Sequence, residues 1–546
     1  MLRHITRQVA KTSRPVSSRS KRSTNNKELS FEKLENRQLL AATIAYDANA
    51  DVVSIYGTNY NDFALIEYET SGRVNVVAWD VSATNRRVIS EPVREVRFYG
   101  YDGVDWLRND TAIKTVVYGM GGDDQLIGGS GADVLDGGQG NDMIWGRDGG
   151  DQIYGADGDD QLMGGNGNDW LDGGYGSDRI WGESGFDKLC GGDGNDVLAG
   201  GNESDLLIGG WGDDTLYGGY GDDQLNGGTG RDFLIGEDGN DTLVAIDNTF
   251  SDQVDGGYGS DTLWINSSSG SDQVVGATSA DKVHRIGWFS NSADMTLDGD
   301  RIADPATTAG YAYRNFGSLT LFASTGPSLY EVQQGQIGDC YFLAGLGAIA
   351  QKVPTAIRQN IVDFNDGTFG VRLGSKFYRV DSDLAVFNGS ASLAYANFGA
   401  GGAAWVALYE KAFAHYRTGQ NSYASIANGW SAEAFTAFGI RNGSSQASTF
   451  GNANYLINQM HNTWHSGSML TVASLSVLNG GPLVANHVYI VTGFLRNTVG
   501  AITHVILRNP WAVDGANIRD GVNDGNVTLS ASELFSLTRM IEWGRA

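Results

Sequence analysis

Cysteine is scarce in this chain: Cys190 and Cys340 are the only two among 546 residues. Two are too few for a disulfide framework, so no cross-linked scaffold is implied and cysteine usage leaves the compartment open. Proline is scarce too, at 7 residues against 77 glycines. That imbalance argues against ordinary disorder and for glycine placed by a repeat. No apolar run approaches the roughly 20 residues that span a bilayer. The longest, 341–350, is short and broken by glycine, which suits a core helix. Basic residues nearly vanish from 119–244, where 4 Lys/Arg face 27 Asp/Glu, within a chain of net charge −26. A surface this acidic repels phosphate backbones, which argues against a nucleic-acid partner and suits a divalent cation.

What is present is dominated by a repeat. Residues 119–244 run through fourteen nonamers of the form G-G-x-G-x-D-x-L-x without insertion. The sixth position is always aspartate: Asp124, Asp133, Asp142, Asp151, Asp160, Asp169, Asp178, Asp187, Asp196, Asp205, Asp214, Asp223, Asp232 and Asp241. The eighth is always Leu or Ile, and the fourth is glycine except at Glu203. A frame held this long specifies a stacked architecture. Glycine admits tight turns, and each x-Leu-x segment is a short strand with one inward aliphatic side chain. Two nonamers make a coil, and stacked coils share an aliphatic ladder. The turns then offer carbonyl oxygens and carboxylates, the all-oxygen shell that Ca²⁺ prefers. The pattern resembles the RTX parallel β-roll, with the fourteen aspartates as metal-site residues and Ca²⁺ as cofactor. Stacked carboxylates without a cation repel, so this segment is expected to fold only with calcium. Two weaker copies follow around Asp252 and Asp261. Cys190 falls at the ninth repeat position, which also accepts Ile127, Asp136, Trp145 and Ala199, so it reads as an inert filler.

The flanks divide the rest. Residues 1–27 hold eight Lys/Arg and no acid, and residues 31–42 resemble the L-E-P-R-x-L-L type of motif on large bacterial secreted and surface proteins, with Asn36 at the proline position. Residues 1–42 are therefore expected to be a targeting segment. Alternating apolar and polar residues over 43–118 predict a β-rich cap. The roll is expected over 119–275, a linker over 276–319, and a helical and stranded domain over 320–546. There, apolar residues from Ala403 to Phe413 recur at helical spacing, and 369–373 and 377–380 read as paired strands.

That last domain contains a constellation in a telling order. Gln334 precedes Cys340 by six residues, His487 follows far downstream, and Asn509 comes later still. This is the chain order of a papain-type thiol hydrolase. Cys340 follows Gly338 and Asp339 and opens an apolar stretch, so it is expected at a helix N-terminus, where the local dipole favours thiolate. His487 can act as its base and Asn509 can orient the imidazole, with Trp511 covering that bond. Gln334 and the Cys340 backbone N–H can serve the developing oxyanion. His504 lies in the same strand as Asn509. His461 and His465 have helical metal-ligand spacing without a third ligand nearby. Residues 520–525 hint at an EF-hand but place Val522 and Ala531 where oxygen ligands belong.

Five blocks resemble calpain-type cysteine peptidases: Gln334 to Ala344, Trp405 to His415, Asn486 to Gly493, Arg508-Asn509-Pro510-Trp511, and Asp524 to Ser530 as the closing strand of the second subdomain. Tyr341, Asn486 and Ala512 depart from the commonest family residues, which are tryptophan and two glycines. The resemblance implies a two-subdomain, α+β papain-like fold acting on a protein or peptide substrate through Cys340, His487, Asn509 and Gln334. The sequence thus reads as a multidomain protein, a parallel β-roll followed by that peptidase. It is expected to be a secreted, calcium-binding cysteine endopeptidase. A calcium-dependent adhesion or surface-structural protein, with an inactive or self-processing peptidase domain, is the alternative.

Overall fold

The computed structural model describes residues 42–545 apart from 70–71, 81–83, 248–249, 268–271, 292, 294–303, 308–310, 317–318, 324–325, 335–338, 391, 395, 397, 399–401, 418–421, 428, 477–481 and 511–524. The N-terminal motif, Trp511 and most of the EF-hand-like segment lie outside the described residues.

Each nonamer alternates a glycine-rich bend with a strand, as at Gln152–Asp157, Gln161–Asn166 and Trp170–Tyr175. Parallel pairing links every second strand, so that Ile153 lies beside Leu171 and Leu171 beside Leu189. Two nonamers therefore form one coil. The result is a parallel β-solenoid of two facing 13-stranded sheets. The eighth-position side chains form its core, a column from Leu126 to Leu243 that is at most 1% exposed. Each such side chain contributes roughly 1.5–3 kcal/mol by leaving water.

Glycine is favoured at two places in the bend for different reasons, with Glu203 the one exception among the fourth positions. Gly167, at the fourth position, has φ +137°, and a Cβ there would stand 1.3 Å from the Gly149 carbonyl oxygen. Gly164, at the first position, has ordinary φ, yet a Cβ would lie 2.4 Å from Asp169 Oδ2 and 2.9 Å from the Gly182 carbonyl oxygen. Close approach of successive coils thus excludes a side chain at both.

The cap over 43–118 joins the solenoid. Thr43–Asp47 pairs antiparallel with Val52–Tyr56, and Val74–Trp79 pairs antiparallel with Phe63–Tyr68 and Thr84–Ile89. These strands close one end of the parallel stack, where open edges would invite pairing with other chains. At the other end the coil lengthens: Asp241 N–H bonds Asp261 Oδ1, 20 residues on. The span expected as linker, 276–319, carries two strands. Lys282–Ile286 extends a solenoid sheet, keeping Ile286 fully buried without the glycine signature. Tyr311–Asn315 pairs with Asp383–Phe387 of the following domain.

That domain is α+β. Helices α1 (Cys340–Lys352), α2 (Pro354–Arg358), α3 (Trp405–Tyr416) and α4 (Ser431–Ala437) pack with strands Thr368–Leu373 and Lys376–Asp381, which pair as expected. A six-stranded antiparallel sheet follows, in the order Arg441–Gln446, Thr538–Arg545, Met469–Ser474, Val488–Arg496, Ile502–Arg508, Asn526–Ser530. Helices α5 (Ala453–His465) and α6 (Ala531–Leu537) pack against it. Helix α1 lies against strand Val488–Arg496, where Gly347 leaves room for Ile490; a Cβ there would meet Ile490 Cδ1 at 2.3 Å.

The two regions share a small core. Trp264, Ile286 and Phe289 of the solenoid end pack with Val362 and Phe364 of the next domain. Trp264 stands edge-on to Phe377 at 5.8 Å. Asn226 Nδ2 donates to the Phe364 carbonyl at 2.7 Å, and His284 Nε2 lies 2.6 Å from the Gln359 carbonyl.

Candidate active site

Helix α1 begins at Cys340, which is 8% exposed. His487 precedes strand Val488–Arg496, and its backbone is clamped by Ser474: His487 N–H donates to Ser474 Oγ and Ser474 N–H donates to the His487 carbonyl, both at 2.9 Å. Asn509 follows strand Ile502–Arg508 and is fixed by its N–H to the Gly525 carbonyl at 2.7 Å. These supports bring His487 Nε2 to 2.8 Å from Asn509 Oδ1. The same edge holds Gln334, whose N–H donates to the Pro510 carbonyl at 2.9 Å.

The electrostatics differ from the sequence expectation of a thiolate favoured by the helix start. Burial pushes the Cys340 thiol up to about 11, against the smaller opposite influence of the Val488 backbone N–H, while Asp339 adds to the rise. Burial pulls His487 down to about 4 although Asn509 favours its charged form. Burial is the largest influence on both groups, and it favours the neutral thiol and the neutral imidazole.

Two departures from the family residues have structural reasons. Asn486 has φ +53°, a left-handed conformation that asparagine tolerates and most side chains do not. Tyr341 is buried and its hydroxyl donates to the Ile426 carbonyl at 2.8 Å. The rival histidines have other partners. His461 Nε2 lies 2.9 Å from an Arg496 guanidinium nitrogen, and His504 Nδ1 lies 2.9 Å from Thr503 Oγ1.

The fourteen repeat aspartates line up in two columns, and all are at most 3% exposed. Each backbone N–H donates to the Oδ1 of the aspartate one coil on, as Asp151 does to Asp169 and Asp169 to Asp187, at 2.7 and 2.8 Å. In twelve of the fourteen, Oδ2 is buried with no hydrogen-bond partner; Asp133 and Asp232 are the others. Asp133 Oδ2 accepts from Gly129 N–H at 2.7 Å. Burial raises these carboxyls, Asp169 to about 6 and Asp205, Asp214 and Asp241 to about 8. Among the described residues no three His, Cys, Asp or Glu side chains cluster as a metal site. A cation held here takes one carboxylate per turn together with main-chain carbonyls. The orphaned Oδ2 atoms and the Gly182-type carbonyls beside them fit that all-oxygen set.

The aspartate ladder is longer than the regular frame. Asp62 and Asp105 extend it at one end, with Asp62 N–H on Asp105 Oδ1 and Asp105 N–H on Asp124 Oδ1, both 2.7 Å. Asp272 and Asp281 extend it at the other, at 20-residue spacing. In the sequence the segment 100–107, with Asp105, already previews the repeat, and a search for aspartate after a glycine turn at a relaxed period would have found Asp62, Asp272 and Asp281. Sequence reasoning also missed Asp339 and Glu410 as a pair.

Fold and site together define a thiol-peptidase domain joined to a repeat of acidic turns. Residues 314–517 match the family model described as calpain family cysteine protease. Four copies of the RTX calcium-binding nonapeptide repeat match 118–153, 154–189, 191–225 and 217–245. The chain therefore carries a calpain-family cysteine peptidase domain preceded by RTX repeats. No curated protein matches it. Among the described residues no helix is long and apolar enough to cross a membrane.

Proposed function

We propose that this chain is a secreted, calcium-binding cysteine endopeptidase that works through Cys340, His487 and Asn509, with Gln334 as oxyanion donor. The observation that carries the reading is the 2.8 Å bond between His487 Nε2 and Asn509 Oδ1; His487 is next in the chain to Val488, whose backbone N–H reaches the Cys340 thiol at the start of α1. Cys340 Sγ attacks the peptide carbonyl carbon as its proton passes to His487. The carbonyl oxygen becomes an oxyanion facing the Gln334 amide and the Cys340 N–H. His487 then protonates the leaving amine, and water, deprotonated by His487, hydrolyses the acyl-enzyme. The neutral resting pair agrees with a thiol that ionises during attack.

In this reading residues 1–42 direct export, 43–118 cap the roll, 119–275 form its body, 276–319 add its last strand and the first strand of the peptidase domain, and 320–546 catalyse. Calcium bound between the turns supplies the positive charge that the buried Oδ2 atoms call for. The test incubates wild type and Cys340→Ser with an unfolded protein, with and without calcium, and follows substrate and chain length together. Cleavage by wild type alone is expected; equal cleavage by both variants overturns the thiol mechanism. Loss of chain length without loss of substrate marks self-processing instead.

A further inference from the structure

The residue before Cys340 is the N-cap of α1, and aspartate at that place ordinarily caps the first-turn N–H groups with its carboxylate. Asp339 makes no such bond. Its side chain is fully buried, and Oδ1 accepts instead from Gln334 Nε2 at 3.3 Å. Its other neighbour is Glu410 of α3, 1% exposed, whose carboxyl lies within hydrogen-bonding reach of Asp339. Glu410 Oε2 accepts from Ala396 N–H at 2.7 Å. Asp339 Oδ2 and Glu410 Oε1 are then both buried with no donor.

Two carboxylates cannot sit together, dry and without a cation. Among the described residues neither has a basic partner. Lys411, next on α3, is bonded to Asp304 and Asp381, and Glu331 Oε2 is occupied by Trp405 Nε1–H at 2.7 Å. One proton between the two acids satisfies both orphaned oxygens at once. We propose that Glu410 is a positioning residue: protonated at neutral pH, it donates to Asp339, which stays ionised and holds the NH₂ end of Gln334 toward the start of α1.

Each step follows from donor chemistry. An ionised carboxylate only accepts, so Asp339 selects the Nε2 end of the Gln334 amide and excludes the flipped rotamer. Nε2 carries two protons; Asp339 takes one and the other serves an oxyanion beside the Cys340 N–H. Burial raises both carboxyls, and the neighbouring acid adds to the rise at Glu410, in keeping with the one proton that the orphaned Asp339 Oδ2 and Glu410 Oε1 require. This role rests on the peptidase reading above, because Gln334 is oriented for that chemistry.

The test compares calcium-loaded wild type, Glu410→Gln and Glu410→Leu, each checked for folding by circular dichroism. Glutamine preserves an acceptor for Ala396 and a donor for Asp339; leucine removes both. Glu410→Leu is expected to lower kcat about 100-fold with KM little changed, as for a lost oxyanion donor, and Glu410→Gln to restore most of it. The infrared difference between wild type and Glu410→Gln at pH 7 should contain the carbonyl band of one protonated carboxyl. Unchanged kcat in Glu410→Leu, or absence of that band, overturns the proposal. If Glu410→Leu does not fold, Asp339→Asn is read the same way, since its amide no longer selects the Nε2 end. An inactive wild type sinks the peptidase reading and the orienting role together. The infrared band, if retained, distinguishes that failure from failure of the pair.

Discussion

In the solenoid, Asp169 is buried between Asp151 and Asp187, each offering the same carboxylate to the same place in the next coil. In the peptidase domain, Glu410 is buried against one other acid, Asp339, and accepts from one backbone N–H, that of Ala396. Both regions bury acids without a basic side chain, but the remedy differs. Repetition multiplies the cost of every unpaired oxygen, so one added species, a cation in each turn, relieves the whole column. A unique pair needs a single proton, and the protein can keep that proton without any ligand. The comparison makes the solenoid conditional on its surroundings and the acid pair intrinsic to the fold.

Removal of calcium should act on the solenoid far more strongly than on the acid pair. The repeat carboxyls have an ordinary value of 3.8 and are held between about 6 and about 8 by burial. Their folded values are raised, so the fold favours the protonated form. Stability from this source is therefore fully present below about pH 4 and is lost as pH rises toward 8. In chelator, the solenoid should lose its β-sheet circular dichroism signal at pH 7.5 and recover it on acidification to pH 4. Added calcium should restore the signal at pH 7.5. A chelated solenoid equally folded at both values would show that repetition carries no such penalty.

The middle effect tests how far the two regions act as one. Trp264 is fully buried and fills the joint between solenoid and peptidase domain with Phe364 and Phe377. Trp264→Ala should cost about 3–5 kcal/mol and split a shared calorimetric transition into two in the presence of calcium. A loss below about 1 kcal/mol with one transition retained would mean that the joint is held elsewhere, for example by Asn226 and His284.

Legibility follows the same division. The sixth-position aspartates, the leucine column and the 18-residue coil were plain in the sequence, because the stacked geometry imposes one residue type at each repeat position. The ladder's ends were not, since Asp62, Asp272 and Asp281 sit at other spacings once the glycine frame relaxes. In the peptidase domain, the order of Gln334, Cys340, His487 and Asn509 was readable, and so was the helix start at Cys340. The neutral resting state was not, because it depends on burial that only tertiary packing creates. Glu410 was invisible for a similar reason: α3 brings it under α1 from a distant part of the chain.

The smallest expected effect concerns the two cysteines, one in each region. Burial pushes Cys190 and Cys340 alike up to about 11, so thiol acidity alone does not separate them. Their settings do. Cys190 lies in a solenoid strand between Asp172 and Ile208, in a row whose members vary freely. Cys340 lies at a helix start with the Val488 backbone N–H turned to its sulfur, and Val488 follows directly on the His487 that Asn509 holds. Cys190→Ser should leave peptidase turnover unchanged and shift stability by no more than about 0.5 kcal/mol, measured by activity and urea unfolding in calcium. A large loss of activity would place the functional thiol in the repeat, and the contrast between a position that tolerates variety and one fixed by its partners would fail at its simplest point.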